Sequence, residues 1–201
     1  MRRLFFLVIL LALLSACGTD RGISGGTGKG EVLDYIQATY PLVDVVKSSS
    51  DQRDVTRIFN AEGSSIEEVT SKIQSGIKSE PVEVSERTNE KQVIVYDDFF
   101  VTMTTDPENK ENTLVEVATY GFVRDNYQPS FFNGLMAGYL LSSLLDVDDW
   151  GRKQNSRCLN SPGGCYGGYI GSGKGYKGPV GQPFLRGGSS SVRGGGPGTG
   201  K

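Results

Sequence analysis

Two parts of the chain repeat apolar residues at the three- and four-residue spacing of an amphipathic helix. The two faces are formed by Val32, Leu33, Ile36 and Tyr40, and by Ile66, Val69, Ile73 and Ile77. Pro41 ends the first helix, because proline lacks a backbone donor and clashes with the preceding turn. Ser65 and Glu68 have the spacing of a capping box, so the second helix is predicted over residues 65–77.

Short β-rich runs occupy much of the sequence around these helices. Runs at 42–46 and 55–59 flank a polar turn at 48–51, and four more lie at 82–87, 91–97, 99–105 and 112–120. Their β-branched and aromatic residues favour pairing, and the turns between the last four runs are short. Sequential strands joined by short turns predict an antiparallel meander. Residues 113–117 alternate imperfectly, which indicates a strand with one covered face.

The most apolar stretch after the amino terminus predicts one helix from Phe131 to Leu145, with Ser130 as its N-cap. Gly134 and Gly138 have the spacing of closely packed helices. Fifteen residues are too few to span a bilayer, which takes about 20. We interpret the stretch as a core helix on the sheet; a second membrane contact, an oligomer face and a partner groove are the alternatives. The predicted fold class is α+β, a single antiparallel sheet (a meander) covered by two or three helices, with a disordered Gly-rich carboxyl-terminal tail.

The first seventeen residues have the layout of an export signal. Two arginines precede eleven apolar residues, 4–14, which are too few for a spanning helix. The following sequence Leu14-Ser15-Ala16-Cys17 resembles the lipobox of bacterial lipoproteins, in which the cysteine thiol receives diacylglycerol and cleavage falls just before it. The alternative is a simple secretory signal with a chance cysteine. We predict a signal peptide at 1–16 and a lipid on Cys17 that anchors the protein at the extracytoplasmic face of the cell membrane.

Charge divides the mature chain into unlike segments that the net charge of −2 conceals. Residues 17–30 hold the lipidated cysteine and a Gly/Ser/Thr-rich tether. Residues 31–150 contain 22 acidic and 9 basic residues and have the length of an ordinary folded domain. Residues 151–201 contain 17 glycines, eight Lys or Arg and no acidic residue, so they are predicted to form a disordered basic tail.

Composition also limits the chemistry that the chain can perform. It has no histidine, which removes the commonest neutral-pH base and every histidine-containing metal site. Besides Cys17, the chain contains Cys158 and Cys165, an even pair around a Pro-Gly turn. Disulfides persist outside the cytoplasm, so we predict a local disulfide between these two residues that contributes little to a core elsewhere.

Acidic residues cluster at two places without a specific catalytic or metal-binding signature. Asp146, Asp148 and Asp149 follow the apolar helix, but the glycine and distal glutamate of a calcium loop are missing. Asp97 and Asp98 suit an acid/base pair in principle, although a turn between strands accounts for them more simply. We therefore predict no catalytic residue, no metal site and no cofactor.

Basic residues in the tail are candidate contacts for a polyanion. They are Lys174, Lys177, Arg186 and Arg193, and Tyr166, Tyr169 and Tyr176 lie in the same Gly-rich segment. In a cytoplasmic protein this pattern indicates single-stranded nucleic-acid binding, but the export signal argues against a nucleic acid partner. Outside the cell the candidates are wall polymers, anionic lipid headgroups and the protein's own acidic domain. A solvated tail without a partner is the remaining alternative.

Several segments, taken in order, resemble a known family. They are the lipobox at 14–17, Tyr40–Val46, Val95–Asp98, Asp106-Pro107, and Phe122–Tyr127 followed by the apolar stretch and Asp149-Trp150. Over about residues 1–150 the chain is similar to an uncharacterised bacterial lipoprotein family, classed as domain of unknown function 4247 and known mainly from Gram-positive bacteria. That family has no established activity, so the resemblance implies a cell-surface location and supplies no catalytic residues.

These observations predict a lipid-anchored extracytoplasmic protein that acts as a non-enzymatic binding or envelope-associated module. It is expected to contact the membrane through diacylglycerol on Cys17. Its expected partner is an envelope polyanion or a protein. The alternative is a membrane-attached, carboxylate-dependent hydrolase that acts on envelope polymers. A cleft that gathers acidic side chains beside Arg124 is expected for the hydrolase, and a continuous apolar groove for the binding module.

Overall fold

A computed structural model describes residues 30–88, 90–161, 163–172 and 176 of the 201-residue chain. The strands are β1 (Leu42–Lys47), β2 (Val55–Ala61), β3 (Glu83–Val84), β4 (Lys91–Val95), β5 (Phe99–Thr105) and β6 (Thr113–Thr119). The helices are α1 (Glu31–Thr39), α2 (Ile66–Gly76), α3 (Tyr120–Asn126), α4 (Gly138–Leu144), α5 (Trp150–Leu159) and α6 (Gly168–Ser172), with a 3-10 helix at Pro129–Phe132.

All six strands form one antiparallel sheet in the order β1-β2-β6-β5-β4-β3. Strands β3 to β6 are the predicted meander, and the β1–β2 hairpin joins its β6 side. β6 is therefore a central strand, paired with β2 on one side and β5 on the other. The predicted α+β class with a single antiparallel sheet is confirmed.

Helices α1 and α2 cover one face of the sheet, as their apolar periodicity predicts. Ile36, Val69 and Ile73 are fully buried there, together with apolar residues of β4, β5 and β6. The capping box is also present: the Ser65 side chain accepts from the Glu68 backbone N–H, and the Glu68 carboxylate accepts from the Ser65 backbone N–H. The local signals of this half of the chain therefore agree with its structure.

The opposite face of the sheet is covered by the chain from α3 onward. Its core is rich in aromatic residues, which include Phe100, Phe122, Tyr127, Phe131, Phe132, Trp150, Tyr166 and Tyr169. The rings pack edge to face, an arrangement that stabilises aromatic pairs beyond their burial. Strand β6 is consequently buried on both faces, and the expectation of one covered face for residues 113–117 is wrong.

The predicted single helix from Phe131 to Leu145 is divided into two segments. The 3-10 helix ends at Phe132, Gly134 takes a left-handed conformation with φ 74°, and α4 begins only at Gly138. Apolar residues surround this stretch on more than one helical face, so two short segments bury more of them than one straight helix would. The core interpretation holds for Phe131, Phe132, Leu135, Leu141 and Leu145, which are all buried. Among the residues that the structure describes, no atom lies within 4 Å of a Cβ placed at Gly138, so no helix packs closely against this glycine there.

The folded region continues past the predicted boundary at residue 150. Trp150, Tyr166 and Tyr169 are buried against the sheet, and α5 and α6 lie within the segment assigned to the tail. Residues 151–161 and 163–172 are therefore part of the domain, and the described region contains more than two or three helices. The high glycine content of residues 151–201 predicts disorder. A few large aromatic residues nevertheless supply enough apolar surface to hold part of this segment against the sheet. Residues 177–201 lie outside the described part of the chain.

No helix in the described part of the chain has the length and hydrophobicity needed to cross a bilayer.

Candidate functional site

A single carboxylate lies in the centre of the aromatic core. Glu116 occupies the middle of β6, opposite Ile58 of β2 and Thr102 of β5. Its side chain lies on the aromatic face of the sheet and only 1% of the residue is exposed. Ionisable residues are rarely buried to this extent unless a partner compensates for the lost hydration.

Three donors from later in the chain meet the two oxygens of Glu116. The hydroxyl groups of Tyr166 and Tyr127 donate to Oε2 at 2.9 and 3.1 Å, and the backbone N–H of Tyr169 donates to Oε1 at 2.8 Å. A carboxylate only accepts hydrogen bonds, so this set of donors suits its ionised form. We call residues 163–172, which supply two of the donors, the carboxyl-terminal arm.

Burial raises the pKa of Glu116 above its ordinary value, while the Tyr169, Tyr166 and Tyr127 hydrogen bonds and the charge of Lys91 oppose this shift. Burial and the neighbouring Glu116 charge also raise the pKa of Tyr127 and of Tyr166, so both hydroxyl groups keep their protons and remain donors. Lys91 lies over the Phe131 ring, with Nζ 3.9 Å from the ring centroid. A half-buried cation thus faces the same core as the carboxylate.

Backbone hydrogen bonds dock the arm alongside the end of α3. The N–H of Tyr166 donates to the Asn126 carbonyl at 2.8 Å, and the N–H of Gln128 donates to the Tyr166 carbonyl at 2.9 Å. Together these bonds form a parallel bridge between Tyr127 and Tyr166. The arm then turns at Gly168, whose φ of 82° and close approach to the Phe131 ring leave no room for a side chain.

The disulfide lies directly before the arm's first buried aromatic residue. Cys158 in α5 is bonded to Cys165, the residue before Tyr166, which confirms the predicted pairing. Gln154, one turn earlier in α5, donates to the Tyr127 carbonyl at 3.0 Å and contacts the Cys165 sulfur at 3.7 Å. The disulfide therefore lies at the base of the arm, next to the buried Tyr166. That it contributes little to a core elsewhere stays a prediction.

The arm also reaches the edge of the sheet. The Tyr169 hydroxyl donates to Asp44 Oδ2 at 3.2 Å, and Asp44 Oδ1 accepts from the Val45 backbone N–H at 2.7 Å. β1 is an edge strand with a register shift between Leu42 and Asp44, and the side chains of Leu42, Val43 and Val45 are exposed. A bulge in an edge strand and a charged side chain that occupies a backbone N–H of that strand both hinder edge-to-edge pairing with another sheet.

The acidic residues considered from sequence do not gather around Arg124. Arg124 pairs with its neighbour Asp125 at 2.7 Å on the surface, and Arg157 lies 3.7 Å from the same carboxylate. Asp97 and Asp98 form the turn between β4 and β5. Within the described ranges, no three His, Cys, Asp or Glu side chains come close enough together to hold a metal ion.

Most of the site residues predicted from sequence fall outside the described ranges. These are Cys17, Lys174, Lys177, Arg186 and Arg193. Conversely, Glu116 was not singled out from sequence, although one charged residue in the apolar run Leu114-Val115-Glu116-Val117-Ala118 is a usable signal. The sequence places Tyr166 and Tyr169 in the predicted disordered tail, whereas the structure buries both residues against the sheet.

The Glu116 carboxylate is bound by the protein at both of its oxygens. Oε2 accepts from two tyrosine hydroxyl groups and Oε1 accepts from one backbone N–H. In this closed form Glu116 holds the arm against the sheet. It reaches a substrate only if the arm moves away.

The chain belongs to the family described as Domain of unknown function (DUF4247), whose model matches residues 10–198. The match includes the arm and most of the basic segment, so the resemblance extends well beyond the residues 1–150 expected from sequence. No curated protein and no solved structure shows significant similarity to the chain.

Proposed function

We propose that this member of the family is a lipid-anchored extracytoplasmic protein that serves as a binding or envelope-associated module without catalytic activity of its own. Its anchor is diacylglycerol on Cys17, and its place is the outer face of the cell membrane. The observation that carries the proposal is the sequence Leu14-Ser15-Ala16-Cys17 at the end of the eleven-residue apolar segment 4–14.

The position of the folded domain supports an anchor at Cys17. The first helix, α1, begins at Glu31. Residues 18–29 span at most about 40 Å when fully extended. A lipid on Cys17 would therefore keep the domain within that distance of the bilayer, and two acyl chains anchor a protein stably where one is marginal.

The state of Glu116 supports binding rather than hydrolysis. A general acid or base must contact its substrate within hydrogen-bond distance. The oxygens of Glu116 instead contact Tyr127, Tyr166 and Tyr169 of the same chain. The carboxylate thus has a structural task that accounts for its burial.

Metabolic labelling with an alkyne fatty acid tests the anchor. The wild-type protein is expected to carry the label in the membrane fraction, and Cys17→Ala is expected to lose it. The matched control is the double variant Cys158→Ala/Cys165→Ala, which loses the other two cysteines and should keep the label. An unlabelled wild type, or a labelled Cys17→Ala, would contradict lipidation.

The tail supplies a candidate partner contact, an anionic envelope polymer. Lys174, Lys177, Arg186 and Arg193 carry positive charge on a segment without acidic residues. We expect the mature chain to bind polyphosphate with an affinity that falls as salt is added, and the variant with these four residues changed to alanine to bind about tenfold or more weakly. Equal binding by both chains would remove the tail from the proposal and leave a protein partner, which crosslinking in living cells identifies.

One observation favours the hydrolase as a second candidate. A buried carboxylate with a raised pKa is typical of acid/base catalysts. If the arm opens over a substrate, Glu116→Gln abolishes hydrolysis of wall glycans or phosphodiester polymers, whereas Glu62→Gln, at an exposed position, leaves it unchanged. The binding module predicts no hydrolysis by any of the three proteins.

A further inference from the structure

The arm is held by two kinds of restraint that meet at consecutive residues. Cys165 joins it covalently to Cys158 of α5, and Tyr166 inserts its side chain into the core as far as Glu116. The two cysteines are seven positions apart, so the bond closes a short loop. Closing this loop removes conformations that the arm could adopt when it is not docked, and so favours the docked state.

Beyond the disulfide, the arm is held by the packing of the Tyr166 and Tyr169 rings in the aromatic core and by a small number of hydrogen bonds. The hydrogen bonds to the rest of the chain are the Tyr166 and Gln128 backbone bonds, the Tyr169 N–H bond to Glu116 and the Tyr169 hydroxyl bond to Asp44. Each such bond contributes modestly after the loss of water is counted. The sheet itself is held independently by six paired strands and by α1 and α2 on its other face. Loss of the arm therefore need not unfold the sheet.

We propose that the disulfide between Cys158 and Cys165 is a redox-operated clasp: when it is formed the arm is closed on Glu116, and when it is reduced the arm leaves the sheet while the sheet stays folded. This device goes beyond the proposed function and does not depend on the lipid anchor. It places the switch in the loop between α5 and Tyr166.

The chemistry of the switch is thiol–disulfide exchange with a dithiol. The dithiol gives two electrons and two protons, the sulfur–sulfur bond of the protein breaks, each cysteine becomes a thiol, and the dithiol becomes a disulfide. The reverse reaction, with a disulfide donor, closes the clasp. On opening, Glu116 loses the Tyr166 and Tyr169 donors and keeps only Tyr127.

Hydrogen exchange read by mass spectrometry tests the clasp. The mature full-length chain with Cys17→Ser contains only the two clasp cysteines, so dithiothreitol acts on a single bond. We expect exchange in the arm to become at least about tenfold faster on reduction, while exchange in β5 and β6 changes little. The variant with both clasp cysteines changed to serine should behave, without reductant, like the reduced protein.

A second comparison links the clasp to Glu116. In the oxidised protein Glu116→Gln is expected to accelerate exchange in the arm, because it alters the acceptor for Tyr166 and Tyr169. In the reduced protein the same substitution should have little further effect, so the two changes are not additive. Unchanged arm exchange on reduction would overturn the proposal. So would acceleration of β5, β6 and the arm by one common factor, since the bond would then stabilise the whole fold and not the arm alone.

Discussion

The Tyr166 hydroxyl donates to Glu116 at 2.9 Å across 50 positions of sequence, and both residues are fully buried. The contact joins the central strand β6 to a glycine-rich segment that follows the last long helix. Without the arm Glu116 would keep a single donor, Tyr127, so the arm supplies most of the hydrogen bonds that compensate for its burial. Tyr166 directly follows Cys165 of the disulfide, and so connects β6 to that bond. Tyr169 binds Glu116 through its backbone N–H and Asp44 at the sheet edge through its hydroxyl.

Replacement of Glu116 by glutamine should change how stability depends on pH. The raised pKa means that the folded chain binds a proton at this site more tightly than the unfolded chain, whose value is near 4.5. The stability that protonation contributes is fully present below that pH and is lost as pH rises through the folded pKa. We therefore expect wild type to gain stability relative to Glu116→Gln as the pH falls through the folded pKa toward 4.5, by about 1.4 kcal/mol per unit of pKa difference.

Urea unfolding at several pH values measures this difference. Comparison with the variant is needed because other carboxylates make the folded chain less stable as the pH falls. For example, hydrogen bonds from Arg53 lower the pKa of Asp51 to about 2, so the stability that ionised Asp51 contributes is lost as the pH falls toward that value. Glu62→Gln makes the same chemical change at an exposed position and should run parallel to wild type. Parallel pH profiles for wild type and Glu116→Gln would show that Glu116 does not titrate differently in the fold.

Alanine at Gly168 should loosen the arm. The backbone φ of 82° disfavours an L side chain, and a Cβ at this position would overlap the Phe131 ring. We expect a loss of about 1–3 kcal/mol in the free energy of unfolding. Gly171→Ala is the matched control three residues later in the same helix, where a Cβ meets no atom within 4 Å. Equal stability of the two variants would mean that the arm is not packed as described.

Removal of the capping box should destabilise α2. Ser65→Ala removes the acceptor for the Glu68 backbone N–H and one partner of the Glu68 carboxylate. The expected cost is about 1 kcal/mol, read by thermal or urea unfolding. Ser71→Ala, at an exposed position inside the same helix, should be neutral or slightly stabilising because alanine favours helix. A neutral Ser65→Ala would mean that the helix end does not limit stability.

Alanine at Asp44 should expose the sheet edge. It frees the Val45 N–H and removes the acceptor for the Tyr169 hydroxyl, next to the exposed Leu42 and Val43. We expect a loss of about 1 kcal/mol and concentration-dependent self-association in sedimentation velocity. Asp148→Ala removes the same charge at an exposed site and should sediment like wild type. If Asp44→Ala does not associate more than that control, the carboxylate does not protect the edge.

Local sequence signals predict those parts of the fold whose contacts join residues close together along the chain. The Ser65 to Glu68 spacing, Pro41 and the alternation of strands each act over a few residues, and the structure confirms the elements they predict. The contacts of Glu116 are different, because its partners come from positions 127, 166 and 169 and no short-range pattern connects them. Local patterns therefore predict the sheet but not the donors around the carboxylate in its centre.

The carboxyl-terminal half shows how composition can mislead. A window average over residues 151–201 is dominated by glycine, but the structure depends on Trp150, Tyr166 and Tyr169 individually. Likewise, the division of the apolar stretch at Gly134 depends on a backbone angle that packing selects and that apolar periodicity does not encode. The disulfide was predicted correctly because it depends on two residues close in sequence.

The central claim is that the segment from Trp150 through the arm completes the fold over Glu116. Cooperative urea unfolding of two shortened chains, one ending at Asp149 and one at Lys177, tests it most directly. The chain ending at Lys177 keeps the Trp150 indole bond to the Arg124 carbonyl and all Glu116 donors, so it should unfold cooperatively with the midpoint of the full chain. The chain ending at Asp149 should keep a folded sheet but unfold at a clearly lower urea concentration, because Glu116 and the aromatic face of the sheet lose their cover. If it instead unfolds cooperatively at the midpoint of the full chain, the domain ends at residue 150 and the account is wrong.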